Sequence, residues 1–170
     1  MICTRPNVAF AISLTSIYQA NPGESHLVAV KTILKYLKRT KEMFLVYGGE
    51  ENLVIRGYAD ASFQTDRDDC RSQSGFMYVM NRGAMSWMSS KQDAVADSTT
   101  EAEYIAACEA AKEGVWIMNF LDDLGIFPAS VKSLELYCDN SGAIGEAKEA
   151  THYHRLTDIA DKYHLIRKIV

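Results

Sequence analysis

The sequence has no C-x-x-C pair: its four cysteines, Cys3, Cys70, Cys108 and Cys138, stand far apart. That spacing excludes a zinc ribbon, a thioredoxin-like redox motif and a dense disulfide scaffold. No apolar run approaches the roughly 20 residues that a membrane span needs, because residues 8–18 are interrupted by Ser13, Thr15 and Ser16. The opening Met-Ile-Cys-Thr-Arg-Pro lacks the charged and apolar regions of a secretory signal. The expectation is a soluble protein of a reducing, intracellular compartment, cytoplasmic or nuclear, with no membrane partner. An excess of positive charge is missing too: 18 Lys and Arg stand against 22 Asp and Glu. Any nucleic-acid contact must then come from a local patch rather than from the field of the whole chain. There are no repeats and no low-complexity tracts, and 170 residues at 48% hydrophobic suffice for one domain with an appendage.

What is present is a regular alternation of periods. Pro6 suits the start of a first helix, in which Val8, Ile12, Thr15 and Tyr18 recur at helical spacing until Asn21-Pro22-Gly23 stops it. A second helix begins near Ser25, with an apolar stripe of Leu27, Val30, Ile33, Leu34 and Leu37 beside a basic row of Lys31, Lys35 and Lys38. Residues 43–47 and 53–59 are β-prone runs joined by a glycine-containing connection that reads as a hairpin loop. A module boundary falls near Gly48, dividing a helical segment (1–47) from a domain of residues 48–170. After a polar loop, residues 75–80 and 84–88 read as strands around a turn at Asn81-Arg82-Gly83, so three antiparallel strands precede the next helix.

Ser98 and Glu101 have the S-x-x-E spacing of a capping box, and Tyr104, Ala107, Cys108, Ala111 and Val115 give the helix an apolar stripe. Gly114 suggests a bend, and Gly125 with Pro128 a stop. A strand over 134–138, a helix from Asn140-Ser141 to about Glu149, a His-rich loop and a final helix to Val170 complete the chain.

Three acids stand at element ends. Asp60 and Asp139 each close a run of β-formers, and Glu101 lies in the first turn of the central helix. Taken singly they are a turn acid, a helix cap and a capping-box residue. Taken together, they sit where an α/β sheet opens its ligand crevice, and their convergence would be costly without a divalent cation. Hard carboxylate oxygens suit Mg²⁺ or Mn²⁺, and a two-cation site of this kind supports in-line phosphodiester hydrolysis. A zinc site through His152, His154 and His164 lacks a second pair at ligand spacing. Arg71 and Lys91 flank the acids in sequence and are candidates to hold phosphates; the basic row of the second helix is another. The bland alternative for all of these is a solvated face. Trp87 and Trp116 lie in apolar segments and are expected in the core.

Gly-Tyr-Ala-Asp-Ala-Ser (57–62), Ala-Asp-Ser-Thr-Thr-Glu-Ala-Glu-Tyr-Ile-Ala-Ala (96–107) and Leu-Tyr-Cys-Asp-Asn-Ser-Gly-Ala-Ile (136–144) resemble the ribonuclease H domain of Copia-type retrotransposon polyproteins. Arg71-Ser72-Gln73-Ser74-Gly75, Ala84-Met85-Ser86-Trp87 and Lys162-Tyr163-His164-Leu165-Ile166-Arg167 extend the match along nearly the whole chain. Residues 1–47, with Thr4-Arg5-Pro6 and Ile33-Leu34-Lys35-Tyr36-Leu37, are similar to the segment that leads from the reverse transcriptase into that domain. The resemblance implies an RNase H-like α/β fold, a mixed sheet flanked by helices behind an N-terminal helical appendage. It also implies Asp60, Glu101 and Asp139 as metal-binding carboxylates that cleave the RNA strand of an RNA:DNA hybrid. By the same resemblance, Ser98, Thr99, Asn140 and Ser141 face the hybrid backbone, whose 2′-hydroxyls distinguish RNA from DNA.

The pattern departs from the family in two places. The family continues into a fifth strand and a fourth aspartate, which this sequence does not reach, and Asp158 stands where a histidine is common. These departures imply a weakly held second cation, slow hydrolysis and a bare sheet edge that favours self-association, with Asp158 or Asp161 as substitute ligands. The competing reading is a catalytically silent, nucleic-acid-binding or scaffold remnant of such a polyprotein.

Overall fold

The structure, a computed structural model, describes residues 3–48, 54–66, 68–125 and 134–149. Their elements follow in the order α1 (Pro6–Ile17), α2 (Glu24–Arg39), β1 (Ile55–Ser62), β2 (Gln73–Met80), β3 (Gly83–Lys91), α3 (Thr99–Asp123), β4 (Glu135–Tyr137) and α4 (Ser141–Glu149). The final helix, the His-rich loop, Asp158 and Asp161, and with them the question of a fifth strand, lie outside the described residues.

The first three strands form an antiparallel meander, and β4 adds in parallel to the free side of β1, giving the order β3-β2-β1-β4. The α/β architecture, a mixed sheet flanked by helices, is the one the RNase H-like resemblance implies. Asn81 and Arg82 both take positive φ at the β2–β3 turn, as a two-residue hairpin requires to match strand twist.

Strand alternation decides the faces. Ile55 and Ala59 of β1 and Phe76 and Tyr78 of β2 are buried in one cluster with α3, and Gly57 is buried on the same face. The matching face of α3 is made of small residues, Ala107, Ala110, Ala111 and Gly114 among them, so helix and sheet approach closely. Tyr78 is fully buried between them and donates its hydroxyl to the Ala110 carbonyl at 2.7 Å. A Cβ at Gly57 would clash with the Tyr78 ring, and one at Gly114 would lie 2.6 Å from its hydroxyl. Gly114 is therefore not a bend: α3 runs unbroken for 25 residues, and this glycine makes room for a tyrosine. Gln92, also buried, ties the end of β3 to α3 by donating to Ser74 Oγ and to the Ala102 carbonyl.

On the opposite sheet face α1 packs along β3, with Gln73 Nε2 donating to Ser13 Oγ and Ser89 Oγ. The Arg5 guanidinium donates to the Thr40 carbonyl at 3.1 Å and lies over the Tyr36 ring, which joins the start of α1 to the end of α2.

Three further expectations need correction. Residues 43–47 form no strand, because both sides of β1 are already paired, with β2 and β4. Instead Tyr47 lies over Gly83 and donates to the Ala84 carbonyl at 2.6 Å. Trp116 is not in the core: it is 58% exposed and stacks on Phe120 on the outer side of α3. Finally, β1 does not end at Asp60 but continues to Ser62.

Candidate metal centre

Parallel pairing of β1 with β4 matches Arg56 to Glu135, Gly57 to Leu136 and Tyr58 to Tyr137. The pairing ends there, two residues before Asp60 on β1 and two before Asp139 beyond β4. Of the two acids at the start of α3, the structure places Glu103, not Glu101, beside Asp139. Glu101 Oε2 accepts the Asp97 backbone N–H at 2.7 Å, while Ser98 Oγ accepts the Glu101 N–H at 3.1 Å. Glu101 is thereby held at the helix start, as a capping interaction requires. Two residues along a helix correspond to a rotation of roughly 200°, so Glu103 points to the other side, towards the sheet.

Glu103 is 9% exposed, and its Oε2 has no hydrogen-bond partner. Burial raises its pKa above the usual carboxylate range, and the charges of Asp60 and Asp139 raise it further, against a hydrogen bond from the Ala61 backbone. Ligand atoms of Glu103, Cys138 and Asp139 lie within 4.8 Å of one another. The Cys138 thiol is also pushed up, first by burial and then by Glu103, Asp139 and Asp60, with a backbone hydrogen bond at Asn140 working the other way. A buried carboxylate oxygen left without a partner, facing two more carboxylates, is the pattern that a divalent cation would satisfy. Among the described residues Glu103 and Asp139 are the carboxylates whose oxygens come this close, and both could offer hard oxygen donors to Mg²⁺ or Mn²⁺; Asp60 lies outside this group and reaches Glu103 through its charge.

Over all 170 residues the chain is 42% identical to the "Retrovirus-related Pol polyprotein from transposon TNT 1-94" of Nicotiana tabacum, covering 12% of that protein. Over 167 residues it is 35% identical to the Pol polyprotein from transposon RE1 of Arabidopsis thaliana, covering 11% of it. The chain thus has homologues among the retrovirus-related Pol polyproteins of Copia-type plant transposons and spans about a tenth of their length. It is also 38% identical over 117 residues to "Secreted RxLR effector protein 161" of Plasmopara viticola, matching 69% of this chain and 82% of that one. No protein-family model matches the chain.

In this Pol-related chain the other candidate residues divide into two groups. Lys91 Nζ donates to Asp66 Oδ2 at 2.7 Å and also pairs with Asp69, and Arg71 pairs with Asp69 at 3.4 Å. The Lys91 ammonium holds the Asp66 carboxyl below its ordinary range. These bonds clamp the loop after β1 to the end of β3, so Lys91 and Arg71 have a structural task that their sequence positions did not reveal. Lys31, Lys35 and Lys38 are exposed along α2, as the spacing predicts.

The helix starts flank the acids. Asn140 Oδ1 accepts the N–H groups of Gly142 and Ala143, capping α4, and Gly142 lies against Thr100 of α3. With Ser98 and Asn140 serving as caps, Thr99 and Ser141 remain as exposed hydroxyls on the two adjoining helix starts. Asp60 also borders a cleft of about 390 Å³ between α1 and the sheet, lined by Phe10, Tyr58, Met77 and Trp87 among others. No helix among the described residues is long and apolar enough to cross a membrane.

Sequence reasoning missed Glu103 and Cys138. A signal for Glu103 was available: it lies four residues before Ala107 and seven before Ala110, on the small-residue stripe that faces the sheet.

Proposed function

We propose that this chain is a ribonuclease H segment that hydrolyses the RNA strand of RNA:DNA hybrids at a divalent-cation site held by Asp60, Glu103 and Asp139. The observation that carries this reading is the buried Glu103 carboxylate, with one unpartnered oxygen, facing the two aspartates. A bound Mg²⁺ or Mn²⁺ would supply the charge that polarises a phosphodiester and acidifies an attacking water. The protein residues set the stage. Glu103 is fixed by burial against the Ala61 backbone, so its orientation is set before substrate arrives. Asp60 and Asp139 are exposed and border the side from which a hybrid would approach. The adjoining starts of α3 and α4 present positive dipole ends suited to phosphate, with Thr99 and Ser141 at hand for backbone hydrogen bonds. The basic row of α2 adds contacts that do not depend on base sequence.

The test is cleavage of a labelled RNA:DNA hybrid with Mg²⁺ or Mn²⁺. Asp60→Asn and Glu103→Gln should each lower the rate by at least about 100-fold, the scale on which loss of a metal's supporting ligands acts. Glu101→Gln should change it by less than about threefold, since Glu101 only caps a helix and a cap contributes roughly 1 kcal/mol. Hybrid binding with no cleavage under either cation would leave a silent binding module instead.

A further inference from the structure

A site meant only for hard cations would be ringed by oxygen, and this one has a sulfur in it. Cys138 Sγ lies within 4.8 Å of carboxylate oxygens of both Glu103 and Asp139. Residues 135–137 form the parallel strand beside β1, and Cys138 and Asp139 follow as it leaves the sheet, which brings both side chains near Glu103. A carboxylate oxygen of the buried Glu103 lies in this group, and its Oε2 has no hydrogen-bond partner. Cys138 is neither a surface thiol nor one of a disulfide pair.

We propose that Glu103, Cys138 and Asp139 form a mixed sulfur and oxygen site that binds Zn²⁺ in preference to Mg²⁺, so that zinc displaces the hard cation and blocks the centre. The proposal rests on the reading that Glu103 and Asp139 hold a divalent cation. Thiolate is the soft donor that separates the two ions: Zn²⁺ and Cd²⁺ accept it, whereas Mg²⁺ requires oxygen. Two carboxylates and one thiolate give three protein ligands, the number used by zinc sites with an open position. Binding forms a sulfur–zinc bond and releases the thiol proton to solvent, with no change of oxidation state. The effect would be to couple the centre to the zinc level around it, leaving it open to Mg²⁺ only where free zinc is low.

The experiment is a Co²⁺ titration of the full chain in a Cys3→Ser/Cys70→Ser background, which removes the two exposed thiols. A thiolate-to-cobalt charge-transfer band should appear, be erased by Zn²⁺ at comparable concentration, and resist Mg²⁺ until a large excess. Adding Cys138→Ser should abolish the band and lower Zn²⁺ affinity relative to Mg²⁺ by about tenfold or more, since the soft donor is lost. Asp139→Asn, at an exposed position, should keep the band but weaken cobalt binding about tenfold. A band that survives Cys138→Ser, no band at all, or equal displacement by Zn²⁺ and Mg²⁺ would overturn the proposal. Hybrid cleavage is read separately. Loss of cleavage with the cobalt band intact removes the nuclease reading alone; cleavage that depends on Asp60 and Glu103 without a band removes the zinc site alone.

Discussion

Helices α2 and α3 invert the usual link between amphipathic pattern and burial. On sequence α2 has the cleaner stripe, yet none of its 16 residues is buried, and Leu27 and Leu34 are 50% and 54% exposed. The stripe of α3 is built largely of alanine, and ten of its residues are buried. The partner makes the difference. The twisted face of β1 and β2 offers glycines and a recessed tyrosine that only a helix of small side chains can approach. For α2 the surface at hand is α1, a short helix, which reaches Ile33 and Leu37 but leaves Leu27, Val30 and Leu34 uncovered beside the lysine row. Apolar residues show that a helix can be covered; the opposing surface decides whether it is.

The largest expected effect tests the α3 side of this contrast. Tyr78→Ala should destabilise the protein by about 3–5 kcal/mol, the range for a large buried aromatic, measured by urea unfolding. A loss below about 1 kcal/mol would mean that the seam between α3 and the sheet is not where the stability lies. Gly114→Ala should cost about 1–3 kcal/mol, because its new Cβ meets the Tyr78 hydroxyl at 2.6 Å and Leu134 at 3.3 Å. In the Tyr78→Phe background that cost should shrink, since the obstructing atom is gone, and a double-mutant cycle would show the coupling.

At the polar end of the same seam, Glu103→Gln should stabilise the cation-free protein by roughly 1 kcal/mol at neutral pH, since it removes a buried carboxylate with an unpartnered oxygen. The sign follows from its raised pKa. An acid whose folded-state pKa is raised contributes stability below its unfolded pKa, and that contribution is lost as pH rises through the folded value. The gain of Glu103→Gln over the parent should therefore be small in acid and grow as pH passes above the usual carboxylate range, and Mg²⁺ should reduce it. A gain that is flat with pH would remove the electrostatic account. The smallest effect belongs to α2: Leu27→Lys and Leu34→Lys should each change stability by no more than about 0.5 kcal/mol. A larger loss would show that this face is covered in solution.

The centre was legible in part. Asp60 and Asp139 stand out because each ends or nearly ends a run of β-formers, on the two strands that pair in parallel. Glu101 and Glu103 are harder, because a two-residue separation says that they point apart but not which of them meets the sheet. The capping-box spacing drew attention to Glu101, and that same spacing is what occupies its carboxylate with the Asp97 N–H. Lys91 read as a free base because Asp66 and Asp69 are more than 20 positions away in the chain, a distance that only the β2–β3 hairpin closes.

By itself, then, the sequence determined the local matters: period-2 runs for the strands, a capping pattern at Ser98, a turn at Asn81-Arg82-Gly83, and the stock of acids at three element ends. These depend on near neighbours, whose geometry the backbone sets. Only the tertiary structure decided which sides of β1 would be paired, and so that residues 43–47 could not join it. It alone decided that Gly114 accommodates a tyrosine instead of bending a helix, and that Glu103 lies beside Cys138 and Asp139. Each of these depends on which surfaces meet across long stretches of chain, and that is settled by packing the whole core at once.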